Sequence, residues 1–235
     1  MLLLTLYCLV NGSTIIEDFV NRIPYSYRLT SVVLFGLCMA YFEAAVVVYL
    51  RELIYPEGFS LPLRIIPGDI LRVEIAREAA SLLMIMSVAA LAGRRFWERF
   101  GYFLIIFGVW DIFYYVWLWV TIDWPSSLVE WDVLFLIPRP WLAPVIAPML
   151  IALLMVLFGL VITKLYARGT TFQPTVVLVT LTLLGTGDIL YSFMHDTNAV
   201  YNLQMPQPYM YWLLIVGLVC YVLGFLHAWL RSRYE

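Results

Sequence analysis

Long apolar stretches alternate with short polar connections along this 235-residue chain. Six of the stretches approach or exceed the roughly 20 residues that an α-helix needs to cross a bilayer. They cover residues 29–50, 73–93, 100–122, 142–166, 174–195 and 209–230. The pattern predicts an all-α membrane protein, a bundle of about six transmembrane helices whose neighbours along the chain are antiparallel because the connections are short.

A short amphipathic segment precedes the first predicted span. Thr14 and Glu17 have the spacing of a capping box, and an apolar helical face follows before Pro24. The face is formed by Ile15, Ile16, Phe19, Val20 and Ile23. Such a helix typically lies along the membrane surface. We therefore expect an N-terminal interfacial segment, residues 1–28, and a single transmembrane domain, residues 29–235.

Basic residues are unevenly divided between the two sets of connections, and cytoplasmic loops carry the excess of Lys and Arg. The richer set, which includes both ends of the chain, contains Arg22, Arg28, Arg94, Arg95, Arg99, Lys164, Arg168, Arg231 and Arg233. The other set contains Arg51, Arg64, Arg72 and Arg139. This asymmetry predicts that both termini are cytoplasmic and that the connections 51–72 and 123–141 are outside.

The two long outer connections also contain signals for local structure. Asp69 is expected to be the N-cap of the second span. Ser127 and Glu130 have capping-box spacing, which predicts a short outer helix. Pro144 and Pro148 fall inside the fourth predicted span, where proline breaks a helix.

The composition supports a membrane environment, because hydrophobic residues make up 63% and charged residues 13% of the chain. Soluble domains contain about a quarter charged residues. The net charge of −2, without a basic run, argues against a nucleic-acid partner. The three cysteines are widely spaced and predict neither a disulfide framework nor a paired metal site. Membrane lipids and other membrane subunits are the expected partners.

Ionisable residues inside the predicted spans are the candidates for chemistry, because a charge at the bilayer centre costs at least a few kcal/mol. They are Glu43, Glu74, Arg77, Glu78, Asp111, Asp188 and His195. With a rise of 1.5 Å per residue, the acids of four helices fall in or near the outer half of the bilayer. We expect one carboxylate-rich polar pocket there, with at least one of the three glutamates pairing with Arg77.

The candidate catalytic residues are Glu78, Asp188 and His195, which are also the candidate ligands of a divalent metal such as Mn, Fe or Zn. The candidate ligand-binding residues are Glu43, Glu74, Arg77, Asp111 and Tyr115. The sequence contains no haem, retinal or nucleotide motif, so the cofactor is unknown beyond a divalent metal.

These residues leave several functions open. The pocket is compatible with binding a metal, a proton or a small ligand, and with a membrane-embedded enzyme. The alternatives are an ion- or proton-coupled transporter, and an accessory or structural subunit of a larger membrane complex. The same ionisable groups also suit a purely structural network, in which Arg77 neutralises its neighbours and fixes helix packing.

Three segments carry a resemblance to other sequences. They are Trp131 to Trp141 (WDVLFLIPRPW), Gly108 to Trp119 (GVWDIFYYVWLW) and Val73 to Ala80 (VEIAREAA). They resemble motifs of scattered, uncharacterised prokaryotic polytopic membrane proteins. The resemblance implies a multi-pass protein of the prokaryotic cell (inner) membrane, and it implies no activity.

Overall fold

A computed structural model describes residues 23–55 and 68–234 and contains six long helices in this range. The helices are α1 (Tyr25–Ile54), α2 (Gly68–Ala92), α3 (Phe96–Ile122), α4 (Ile146–Ala167), α5 (Val176–Met194), the one-turn α6 (Asn198–Tyr201) and α7 (Tyr211–Tyr234). All six long helices are long and apolar enough to cross a membrane. The chain is therefore a multi-pass integral membrane protein, and the predicted all-α six-helix bundle is confirmed. The predicted interfacial helix before Pro24 lies outside the described residues.

Strands β1 (Trp131–Val133) and β2 (Leu142–Pro144) form an antiparallel hairpin between α3 and α4. We call the end of the bundle that carries it the hairpin end. At the opposite end, Tyr25 of α1 hydrogen-bonds Thr163 of α4, and Arg94 reaches the carbonyl of Tyr166. The first and last described helix termini lie together at this opposite end, as an even number of antiparallel spans requires.

Glycines set the closest helix crossings. Helix α3 packs against α1, α2 and α4, whereas α5 packs chiefly against α7. A Cβ added at Gly108 would lie 2.5 Å from the carbonyl oxygen of Ala152, and one at Gly159 would lie 2.5 Å from that of Gly101. Small residues therefore allow the backbones of α3 and α4 to touch, which is how membrane helices gain contact area in lipid.

Some local predictions at the hairpin end are wrong. Residues 142–144 form β2 rather than the start of a helix, so Pro144 lies in a strand and Pro148 in the first turn of α4, where proline is tolerated. No outer helix begins at Ser127. Instead the carboxylate of Glu130 accepts the backbone N–H of Ser126 at 3.2 Å, which closes a turn leading into β1.

Helix α2 also begins differently from the prediction. Its first described residue is Gly68, and Asp69 lies within the first turn rather than at the N-cap. The carboxylate of Asp69 forms an exposed ion pair with Arg72 at 3.2 Å. An acid in the first turn still suits the positive end of the helix dipole.

Candidate functional site

Arg77 of α2 lies between two glutamates of the bundle interior. Its Nε donates to Glu74 on the same helix at 2.8 Å, and its Nη1 forms an ion pair with Glu43 of α1. The expected carboxylate partner of Arg77 is thus confirmed, and there are two of them. Because both glutamates are buried, the guanidinium is committed to this pair and ties α1 to α2.

Glu78 lies one turn beyond Glu74 along α2 and has a different partner. Both of its carboxylate oxygens lie 3.1 Å from the backbone nitrogen of Leu136, in the loop that joins β1 to β2. Non-helical backbone within a membrane protein needs a protein partner for each N–H group, since lipid offers none. Glu78 therefore satisfies the hairpin loop and holds it against the helices.

A cavity of about 70 Å³ lies between these helices and the hairpin; we call it the hairpin-end cavity. Its polar lining groups are Glu43, Arg77, Glu78, Asp111, Tyr114 and Tyr115. Its apolar lining residues are Val47, Trp110, Val133, Leu134 and Phe135. Three acids on three helices thus meet at one cavity, each about three turns from the hairpin-end terminus of its helix.

Asp111 is a carboxylate of this cavity that has no countercharge among the described residues. Among the described residues it has no hydrogen-bond or ion-pair partner, and the charged group that acts on it is another acid, Asp132. Arg77 is already engaged by Glu43 and Glu74, so it is not free to neutralise a further acid. The cavity therefore holds more carboxylates than cationic groups.

Asp132 of β1 is the centre of a second group of polar contacts, which joins the hairpin to α1 and α3. Its carboxylate accepts a hydrogen bond from the Tyr115 hydroxyl at 3.2 Å and lies 3.6 Å from Nη2 of Arg51 on α1. The Arg51 guanidinium also stacks over the Trp124 ring, 3.7 Å from its centre. Burial raises the pKa of Asp132, while Arg51 and two hydrogen bonds oppose that shift. These contacts fasten the hairpin to α1 and α3.

Asp188 and His195 lie elsewhere. Both belong to the α5 segment, which packs against α7 and touches β2, and neither lines the hairpin-end cavity. The His195 ring stacks on Tyr191, its Nδ1 lies 3.1 Å from the carbonyl oxygen of Ser192, and its Nε2 is buried without a partner. Within the described ranges, no three His, Cys, Asp or Glu side chains group closely enough to hold a metal ion. The structure does not assemble the metal site expected from Glu78, Asp188 and His195, because α5 is not a neighbour of α2.

A second polar cluster lies at the opposite end. Glu98 of α3 is fully buried and accepts hydrogen bonds from Arg28 at 2.8 Å and from the backbone and side chain of Arg94 at 2.8 and 3.0 Å. Arg28 also donates to the carbonyl of Ala92 and lies over the Tyr102 ring. Here two arginines surround one acid, so the carboxylate is fully compensated and the surplus charge is positive.

Sequence reasoning did not single out Glu98, Asp132 or Arg51 as members of polar clusters. Glu98 lies at a helix end, where a charge looks solvent-exposed. Asp132 lies in a hairpin of the connection 123–141, for which the sequence predicts a short helix rather than paired strands. One signal was available: Asp132 sits between tryptophan and valine in a run with alternating apolar character, which is typical of a half-buried strand.

Comparisons with known proteins add no assignment. No family model, curated protein or solved structure matches this chain. The resemblance based on Trp131 to Trp141 therefore stays an expectation, and a functional argument depends on the two polar clusters themselves.

Proposed function

We propose that this protein is a proton-binding membrane protein whose hairpin-end cavity takes up and releases protons. The observation that carries the proposal is the surplus of acid among the described residues. Arg77 pairs with Glu43 and Glu74, while Glu78 and Asp111 line the same cavity without an ion pair. Carboxylates at close range cannot all remain ionised. An uncompensated one inside the bilayer costs at least a few kcal/mol, and a proton removes that cost.

A proton fits the geometry better than a divalent metal or an organic substrate. A metal needs several ligand atoms converging on one point, and the described residues offer no such group of three. The cavity of about 70 Å³ is less than half the volume of about 150 Å³ that accommodates benzene. It can hold a few waters, and water supplies the route by which protons reach a carboxylate.

The contact between Glu78 and Leu136 links protonation to the hairpin. A carboxylate accepts a hydrogen bond about twice as strongly as a neutral group does. Protonation of Glu78 therefore weakens the contact that holds the loop, and the part of the cavity wall formed by Phe135, next to Leu136, loosens with it. This coupling predicts that the hairpin moves in response to the pH on its own side of the membrane.

An apolar layer separates the two polar clusters. It is formed by Val32, Met39, Ala40, Ile85, Ala89, Ile105, Ile106 and Val109. A transporter needs alternating access to its site from both sides, and this layer supports one-sided access in the conformation described. The proposal is therefore proton binding that moves the hairpin, in preference to proton passage through the bundle.

The test uses a fluorescent label on the hairpin. Cys8, Cys38 and Cys220 are replaced by Ala, and Arg139→Cys in the exposed loop carries a polarity-sensitive dye. We expect the dye signal of the full chain in lipid nanodiscs to change with pH. Glu78→Gln should hold the signal at its low-pH value, because glutamine is neutral at every pH.

Asp188→Asn is the matched control, because it removes an intramembrane acid that does not line the cavity. Its pH response should equal that of the parent, whereas Asp111→Asn should reduce the amplitude. A parent signal that is independent of pH, or a Glu78→Gln response identical to the parent's, would overturn the proposed function.

A further inference from the structure

A larger pocket lies at the opposite end of the bundle, between the α4–α5 connection and the last turns of α7. Its volume is about 420 Å³, within the range of roughly 300–1,000 Å³ typical of small-ligand sites. Leu165 forms an apolar wall. The other lining residues are Arg168, Gly169, Thr170, Thr171, Gln173 and Ser232. We call it the connection pocket; its described lining consists almost entirely of hydrogen-bonding groups, with one cation and no acid.

The turn that ends α4 shapes this pocket. Gly169 has a φ of +81°, its N–H donates to the carbonyl of Tyr166 at 3.1 Å, and the N–H of Thr170 donates to that of Leu165 at 3.0 Å. This is the Schellman arrangement, which satisfies the last carbonyls of a helix. The carbonyl oxygens of Leu165 and Tyr166 are thereby engaged at the electronegative end of α4.

Helix α7 closes the other side. The Oγ of Ser232 donates to the carbonyl of Ala228 at 2.8 Å and accepts the backbone N–H of Gln173 at 3.0 Å. At the same end, the Thr175 hydroxyl hydrogen-bonds Nδ1 of His227 at 3.1 Å. The connection is therefore fixed to α7 at two points, which holds the pocket open between them.

The described charged residues around the connection pocket are positive. No Asp or Glu occurs in residues 133–187 or 197–234, so neither described wall brings an acid to it; Glu235 follows α7 and lies outside the described residues. Arg168 forms no ion pair among the described residues, and Lys164 lies in the last turn of the same helix. Glu98, the buried acid of this end, is already bound by Arg28 and Arg94. An anion in the pocket would thus meet a guanidinium and several hydroxyl and amide donors without an opposing carboxylate.

We propose that the connection pocket binds a phosphate group, and that its natural source is the headgroup of an anionic phospholipid. Arginine binds phosphate with paired N–H donors, and the Thr170 and Thr171 hydroxyls and the Gln173 amide supply further donors. The pocket lies at the helix ends, where headgroups are found, and the arginine asymmetry predicts this end to be cytoplasmic. Basic pockets between helices on that side are suited to anionic headgroups.

The test measures lipid binding to the full chain. The protein is placed in phosphatidylcholine nanodiscs with increasing phosphatidylglycerol, and retained lipid is counted by native mass spectrometry. Arg168→Gln should weaken phosphatidylglycerol retention by about fivefold to tenfold, the effect of losing one well-placed basic group. Lys164→Gln removes the same charge from the same helix end but does not line the pocket, and it should change retention by less than about twofold.

Two further arms complete the design. The double variant Thr170→Val/Thr171→Val keeps the charge and removes two donors, and it should also weaken retention if the pocket binds the phosphate. Inorganic phosphate, added to the protein in pure phosphatidylcholine discs, tests the other source: saturation at micromolar levels would assign the pocket to a soluble phosphate compound. Equal losses in Arg168→Gln and Lys164→Gln, or phosphatidylglycerol retention no greater than that of phosphatidylcholine, would overturn the proposal.

Discussion

The two polar clusters of this bundle differ in how their charges balance. At the opposite end, Glu98 is buried between Arg28 and Arg94, so an acid has two cationic partners. At the hairpin end, Arg77 must serve an acid-rich group of four carboxylates, and one of them, Asp111, is left without a partner among the described residues. The acid of the first cluster is fully compensated by cations, whereas the second cluster has more acids than cations and needs an added positive charge.

This difference separates a structural role from a functional one on physical grounds. Buried ions that pair fully hold helices in register, and removing one partner exposes the full cost of the other. A cluster with surplus acid lowers its energy by binding protons, so its charge depends on pH. The same bilayer thus contains one cluster that resists change and one that responds to its surroundings.

The largest expected loss of stability is at the cluster around Glu98. Glu98→Gln leaves the guanidinium of Arg28, which is only 8% exposed, without its carboxylate and should cost about 3–5 kcal/mol of stability. Glu78→Gln at the acid-rich cluster should cost about 1 kcal/mol or less, because it lowers like-charge repulsion while it weakens one hydrogen bond. Unfolding in mixed detergent micelles measures both. Equal losses of stability in Glu98→Gln and Glu78→Gln would show that the two clusters do not differ in charge compensation.

Replacement of Arg77 gives the next largest effect. Arg77→Gln removes the countercharge of Glu43 and Glu74 and should destabilise the protein at neutral pH by about 2–3 kcal/mol, less than a broken buried pair usually costs, because the acids can take up protons. The loss should shrink as the pH is lowered.

Arg28→Gln provides the contrast for that experiment, since Glu98 keeps Arg94 as a partner. Its stability loss should vary little across the same pH range. If lowering the pH restores the stability of Arg77→Gln and Arg28→Gln equally, or of neither, the surplus of carboxylates is not special to the hairpin end.

The smallest effect concerns Asp132, which lies outside the spans. Burial raises the pKa of its carboxyl in the folded protein, so the folded state binds this proton more tightly than the unfolded state does. The stability that Asp132 contributes is therefore fully present below its pKa in the unfolded chain, about 3.9, and is lost as the pH rises through its higher pKa in the folded protein. The stability of the parent relative to Asp132→Asn should improve on acidification, by about 1 kcal/mol. If the parent instead loses stability relative to Asp132→Asn on acidification, burial does not raise the pKa of Asp132.

Much of the fold could be predicted because lipid imposes a simple rule: an apolar run of about 20 residues becomes a spanning helix. The rule fails at residues 142–144, where an apolar run that leads into α4 pairs as a strand with Trp131–Val133. Apolar character alone does not distinguish a buried strand from a buried helix.

The candidate site could be predicted in part, for a related reason. Depth along a helix follows from counting residues, and it groups Glu43, Glu78 and Asp111 correctly. Depth also groups Asp188 with them, and this is wrong, because counting does not reveal that α5 packs against α7. Helix adjacency depends on contacts such as Gly185 against Gly217, and a single sequence does not specify which glycines meet.

Infrared titration detects proton binding by the acid-rich cluster itself. The full chain in lipid nanodiscs is titrated while the C=O stretch of protonated carboxyl groups is recorded, with Asp123→Asn, an exposed acid next to α3, as the matched control. We expect a titrating carboxylic-acid signal that is reduced in Asp111→Asn and in Glu78→Gln and unchanged in Asp123→Asn. A signal of full size in both cavity variants would contradict proton binding by this cluster.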